Sequence, residues 1–201
     1  MLFDEAHRKS LNDAVSFYQS KRFLTQKART QLVKEINVKK NENIRKRKQF
    51  ISIYGQSIKI RNKNEINYLE STVTSVIIEK GACSTLTSFD INECQSLKQL
   101  TIRDNNFKNI SSFSIQNLPD LVSITIGNNC FAVDNGRSKN GSFTISNCTS
   151  LEVIEIGKQS FKDYGSFSLT RLNCLRKLVI GGVYDNSSNF LNCNRFSLSG
   201  K

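Results

Sequence analysis

The sequence predicts a mostly β solenoid built from units of about 24 residues, preceded by a basic α-helical segment. Three observations predict it. From residue 69 onward a pattern of Phe, Leu and Ile returns again and again. Residues 8–48 hold neither Pro nor Gly and are rich in Lys, Arg, Gln, Ala and Leu, the composition of a helix. The net charge of +12 is also unevenly spread: residues 1–63 carry 16 basic and 5 acidic side chains, and residues 64–201 carry 13 and 12. Such a contrast marks two structural units, with a boundary expected in the polar stretch near residues 62–70.

In the first segment, residues 1–49, Leu11, Val15 and Tyr18 are spaced i, i+4, i+7. After a slip near Lys21 and Arg22, Leu24, Ala28, Leu32 and Ile36 recur every four residues. This is the stripe of an amphipathic helix, either one long helix or two shorter ones. Ser10 and Asp13 have the spacing of a capping box, with Asp in place of Glu. Arg45, Lys46, Arg47 and Lys48 form a run of four cations that suits phosphates, on a nucleic acid or an anionic membrane. The same run also suits a solvated helix end, where cations meet the negative end of the helix dipole. No aromatic side chain interleaves it, so base stacking is not signalled.

Residues 50–60 change period. Phe50, Ile51 and Ile53, then Tyr54-Gly55-Gln56-Ser57, then Ile58 and Ile60 predict two short strands around a Gly-containing turn. This hairpin, within a cap over residues 50–68, would cover the first face of the repeat.

The repeat occupies residues 69–201. Phe89, Phe113, Phe143, Phe167 and Phe196 open units separated by 24, 30, 24 and 29 residues, so two units carry inserts, at 132–142 and 182–195. Upstream, Val73, Val76 and Ile78 lie 24 residues before Leu97, Leu100 and Ile102, a degenerate first unit. One such unit cannot bury its apolar side alone, but stacked units share a continuous core. Leu-x-x-Leu/Ile-x-Ile ends in strand alternation, and Phe-x-Ile/Leu is a second short strand. Gly127, Gly157 and Gly181 follow three of the strands, where a sharp bend is expected.

Leu151-Glu152-Val153-Ile154-Glu155-Ile156 and Leu175-Arg176-Lys177-Leu178-Val179-Ile180 resemble the hallmark strand of a leucine-rich repeat. With Phe143 and Asn147-Cys148-Thr149-Ser150-Leu151, the units look most like the short, Phe-containing repeats of the BspA-like surface-protein family. The resemblance covers about residues 70–198 and implies a protein-interaction scaffold, often displayed at a cell surface.

The side chains between the apolar strand positions point away from the core. They are Lys98, Gln99, Thr101 and Arg103; Val122, Ser123 and Thr125; Glu152, Val153 and Glu155; and Arg176, Lys177 and Val179. The resemblance makes this the protein-binding face. By composition it equally fits an ordinary solvated sheet, because it holds no aromatic anchor. The insert at Asp134–Asn140 is an alternative contact site.

Six cysteines raise the question of disulfides. Cys94 and Cys148 share a phase but lie two units apart, about 9.5 Å at the usual strand spacing, beyond disulfide reach. Cys83, Cys130, Cys174 and Cys193 fall at other phases. Buried, reduced thiols are expected. Without a Cys-x-x-Cys, and with His7 as the single histidine, no metal site, cofactor or small-molecule substrate is expected, and acid–base catalysis has few routes. Asp4-Glu5-Ala6-His7 resembles the acidic motif of DEAH-type helicases. The chain has no phosphate-binding Gly-x-x-x-x-Gly-Lys-Ser/Thr, so ATP hydrolysis is not expected.

The functional expectation is a non-enzymatic scaffold that binds a protein through the strand face or its inserts. The alternatives are a nucleic-acid or membrane tether acting through the basic arm and a fragment of a helicase fusion. No apolar run is long enough to span a membrane, and no signal peptide is evident, which points to the cytoplasm; the family resemblance would place a longer form at the cell surface. The last unit breaks off after Leu198, so an apolar end capable of self-association is expected.

Overall fold

The computed structural model describes residues 26–54, 57–132, 141–182 and 187–200. The chain forms two compact units, Met1–Ile53 and Tyr54–Lys201.

Among the described residues of the first unit a helix, α1, runs from Gln26 and ends at Tyr54, the first residue of the second unit. Leu32 and Ile36 are half-buried, while Val33 and Val38 are exposed. The stripe residue Leu24, the predicted capping box and the acidic motif at residues 4–7 lie outside the described residues.

The expected hairpin at residues 50–60 does not form. Phe50, Ile51 and Ile53 continue α1, because nothing between Arg45 and Tyr54 breaks a helix and Gly55 is the first glycine of the chain. The unit boundary accordingly falls at residue 53, earlier than the polar stretch at 62–70. Strand β1, Ser57–Ile60, pairs in parallel with β2, Ser75–Ile78, and is the first strand of the main sheet. A 3-10 turn at Lys63–Tyr68 follows β1. It is capped by Asn62, whose side chain accepts from the Asn64 amide at 3.1 Å.

Among the described residues of this unit, the strands are short, all pair in parallel and form two sheets joined by turns and irregular segments. The first sheet has the order β1-β2-β3-β5-β7-β9, adding β3 (Gln99–Ile102), β5 (Ser123–Ile126), β7 (Val153–Ile156) and β9 (Lys177–Ile180). The second has the order β4-β6-β8-β10: Ser112–Gln116, Ser142–Ser146, Ser166–Thr170 and Arg195–Ser199. From β3 onward the chain alternates between the sheets, one strand in each per pass. Register is fixed by the alternation, since a one-residue slip would turn every Ile and Leu outward. Val76, Leu100, Ile124 and Ile154 therefore lie side by side, as do Ile78, Ile102, Ile126 and Ile156. All eight are buried in one core that both sheets share.

Two files of phenylalanine fill the space between the sheets. Phe113, Phe143, Phe167 and Phe196 stack at ring-centroid distances of 5.4, 5.0 and 4.9 Å. Phe107, Phe131, Phe161 and Phe190 stack at 5.0, 4.6 and 5.3 Å. Edge-to-face contacts join the files, as between Phe143 and Phe161 at 4.8 Å. Phe89-Asp90-Ile91, expected as a strand, is not one. Ile91 is buried and Phe89 half-buried, its ring 4.6 Å from Phe107.

Gly127 and Gly157 are needed for a reason other than bending. A Cβ on Gly127 would lie 2.7 Å from the Asp104 amide nitrogen, and one on Gly157 would lie 2.5 Å from the Gly127 carbonyl carbon. Consecutive passes approach too closely there for any side chain. Gly181, at φ 71°, is left-handed.

Candidate functional site

The outward side of the first sheet is built by strand alternation: each buried Ile or Leu leaves its neighbours facing solvent. Pairing aligns these neighbours into two rows. One row is Ser57, Ser75, Gln99, Ser123, Val153 and Lys177. The other is Lys59, Ile77, Thr101, Thr125, Glu155 and Val179. The structure thus brings the sequence-predicted strand residues onto one surface.

The charged members of that surface are largely engaged with one another. Arg103 pairs with Glu79 at 3.2 Å, Lys177 with Glu155 at 2.6 Å and Arg176 with Glu152 at 3.9 Å. Each pair links one pass to the next and, being exposed, contributes little stability. The centre is neutral. Thr101, Ser123, Thr125 and Val153 are half-buried, and Gln99, Lys98 and Val122 are exposed. The insert at Asp134–Asn140 lies outside the described residues.

Arg45, Lys46, Arg47 and Lys48 lie inside α1, six residues or more before its last residue, and not at a helix end. Arg45 is exposed; the side chains of the other three lie outside the described residues.

Cys83, Cys94, Cys130 and Cys148 are buried and unbridged, with thiols pushed up by desolvation, the first three to about 11. Cys174 departs from the expectation of a buried thiol and is exposed, and Cys193 is intermediate. Among the described residues no group of three or more His, Cys, Asp or Glu is placed to hold a metal ion. Among them, too, no helix is long and apolar enough to cross a membrane.

In the last two strands Leu178, Ile180, Phe196 and Leu198 are 36–63% exposed, although each continues a row that is buried in earlier passes.

Sequence reasoning missed one repeated element, the polar residue or thiol directly before each phenylalanine of the second file. Asn106 donates to the Glu79 carbonyl at 2.9 Å, Cys130 to that of Arg103 at 3.3 Å, Ser160 to that of Gly127 at 2.7 Å and Asn189 to that of Gly157 at 2.7 Å. Each donor reaches back to the carbonyl that follows the previous pass's strand. The signal was in the sequence as Asn106-Phe107, Cys130-Phe131, Ser160-Phe161 and Asn189-Phe190. It was obscured because three residue types fill one role.

No protein-family model, curated protein or solved structure matches the chain.

Proposed function

We propose that residues 57–200 form a leucine-rich-repeat solenoid of the BspA-like kind, and that it serves as a non-enzymatic scaffold binding a protein on the outer face of its first sheet. The observation that carries this reading is the continuous register of six parallel strands, from Ser57–Ser75 to Val153–Lys177. It makes a single broad surface from short, separate stretches of sequence. Thr101, Ser123, Thr125 and Val153 supply an uncharged centre, and the ion pairs at Arg103, Glu152 and Glu155 border it with charge. A photo-crosslinking residue at Thr125 of the full chain, used in cells that express it, is expected to trap one discrete partner. A Thr101→Arg change should abolish the product. Equal trapping from Ser168 on the other sheet would refute the reading.

A second reading is favoured by α1. This helix carries nine basic and two acidic side chains, and Arg29, Lys34, Lys39, Lys40 and Arg45 are all exposed. It fits an anionic tether to nucleic acid or membrane. Binding of the full chain to duplex DNA or phosphatidylserine vesicles would then fall steeply with salt. It would be lost when Arg45, Lys46, Arg47 and Lys48 are changed to Glu. Salt-independent binding would exclude it.

A further inference from the structure

The bare apolar surface of the chain is concentrated in one pass. Among the described residues nine large hydrophobic side chains are exposed, and six of them, Leu178, Val179, Ile180, Leu191, Phe196 and Leu198, fall within residues 178–198. Strands β9 and β10 are the outer strands of their sheets, each paired on one side only, with β7 and with β8. Their inward residues continue buried rows: Leu178 follows Ile154, Ile180 follows Ile156, Phe196 follows Phe167 and Leu198 follows Leu169. The Phe196 ring stacks on Phe167 at 4.9 Å and is otherwise open. The far edge of the first sheet differs. In β1, Ile60 is fully buried and Ile58 half-buried.

We propose that two copies of this chain associate through this pass, β9 against β9 and β10 against β10, about a twofold axis. Three observations choose this occupant. Two edges, one in each sheet, are bare together; a single added peptide strand covers only one of them, whereas a second copy brings both strands at once. Head-to-tail stacking would set the bare pass against β1, whose apolar positions are already covered, so the bare pass meets itself. The area also suffices. At roughly 200 Å² for a whole large side chain, the exposed fractions of Leu178, Ile180, Phe196 and Leu198 amount to about 400 Å² per copy. A stable interface buries about 600–1,000 Å² per partner, a little over half of it apolar.

A twofold axis runs the paired edge strands antiparallel, and alternation fixes its position. Residues directly opposite in such a pair point to the same side of the sheet, so the axis passes beside a residue and not between two. With Ser197 at the axis, Phe196 faces Leu198 of the second copy and Arg195 faces Ser199 of the second copy. The matching centre in β9 is Val179, which sets Leu178 against Ile180 of the second copy and keeps each Lys177 away from its counterpart. Inward apolar residues thus meet inward apolar residues, and no cation faces its own like. The free edges of both strands gain partners in the same step. This surface is separate from the outer face of the first sheet, so the protein-binding reading stands or falls without it.

Sedimentation equilibrium of the full chain is expected to show twice the 22.8 kDa chain mass at about 100 µM and single chains at about 1 µM. Because each copy carries a net charge of +12, added salt should tighten the association and not loosen it. Leu198→Lys, at an exposed position, should raise the dissociation constant by about tenfold or more. Cross-linking reads the register. In a chain carrying Cys174→Ser and Cys193→Ser, Ser197→Cys should give a disulfide-linked dimer under mild oxidation, since facing Cα atoms of an antiparallel pair lie about 4.5–5.5 Å apart. Ser168→Cys, one strand further in, would stand about 14 Å from its mate and should not link. If the Ser197→Cys chain melts early when reduced, Val179→Cys reads the same axis in β9. Four outcomes overturn the proposal: single chains only at 100 µM or so, a dimer that Leu198→Lys leaves intact, no cross-link from a folded axis variant, or a cross-link from Ser168→Cys as strong as that from Ser197→Cys.

Discussion

Replacing Phe143 with Ala tests the internal stacking directly. Phe143 is fully buried. Its ring lies 5.4 Å from Phe113, 5.0 Å from Phe167, 4.8 Å from Phe161 and 5.7 Å from Phe190. Truncating a buried Phe to Ala costs about 3–5 kcal/mol, and four lost ring contacts place this one near the top, at about 5 kcal/mol. Phe196 occupies the same file and the same place in the pattern, but it is 63% exposed and stacks on Phe167 at 4.9 Å. With roughly a third of its side chain covered, Phe196→Ala should cost about 1 kcal/mol. The two variants therefore differ by about 4 kcal/mol. At an m-value of about 2 kcal/mol/M this separates their urea midpoints by about 2 M. Urea titration of the full chain and both variants, followed by far-ultraviolet circular dichroism, measures the gap. Midpoints within about 0.5 M of each other would refute the stacking argument.

Three further outcomes follow from buried polar groups. Asn106→Ala strands the Cys83 amide and the carbonyls of Glu79 and Arg103, bonded now at 2.8, 2.9 and 2.7 Å, and should cost about 3 kcal/mol in the same titration. Tyr164→Phe removes the hydroxyl that donates to the Ile110 carbonyl at 2.6 Å inside the core; a loss of about 1–2 kcal/mol is expected, and no loss would mean the carbonyl finds another donor. The raised thiols of Cys83, Cys94 and Cys130 set a pH dependence: the unfolded chain gives up these protons near the ordinary value of 9.0, before the folded chain does near 11, so stability should be unaffected by them below pH 9 and fall between about 9 and 11. A Cys130→Ala variant that loses stability over that range as steeply as the parent would remove Cys130 from this account.

The repeat was legible because burial enforces it. Phe113, Phe143 and Phe167 recur in the sequence since each must meet the ring one pass away, and a different residue there would leave a hole. The hairpin was misread because Phe50, Ile51 and Ile53 alternate like a strand, while the helix that includes them depends on the absence of a breaker before Gly55. Ile58 and Ile60 were read as a strand, but their partner, 18 residues further on, cannot be seen in local pattern. Gly127 and Gly157 were assigned to bends, whereas their crowding against the previous pass exists only in three dimensions. For the candidate site, the outward residues followed from alternation; the ion pairs that occupy its ends did not, because they join side chains 22–24 residues apart.

Parallel sheets ordinarily have both faces covered, and their strands then read as unbroken apolar runs. Here each sheet has one face in the common core and the other open, so every strand must alternate. That requirement explains Ser123-Ile124-Thr125-Ile126 and Ser142-Phe143-Thr144-Ile145 alike. The same requirement separates folding from recognition along the chain: the inward positions carry the stability, and the outward ones are constrained mainly to be polar. The first sheet's outward positions mix Ser and Gln with β-branched and charged residues, and the second's are almost wholly hydroxyls. Solvation alone would be met by any mixture of polar residues. The two outer faces nevertheless differ in composition on one repeated backbone.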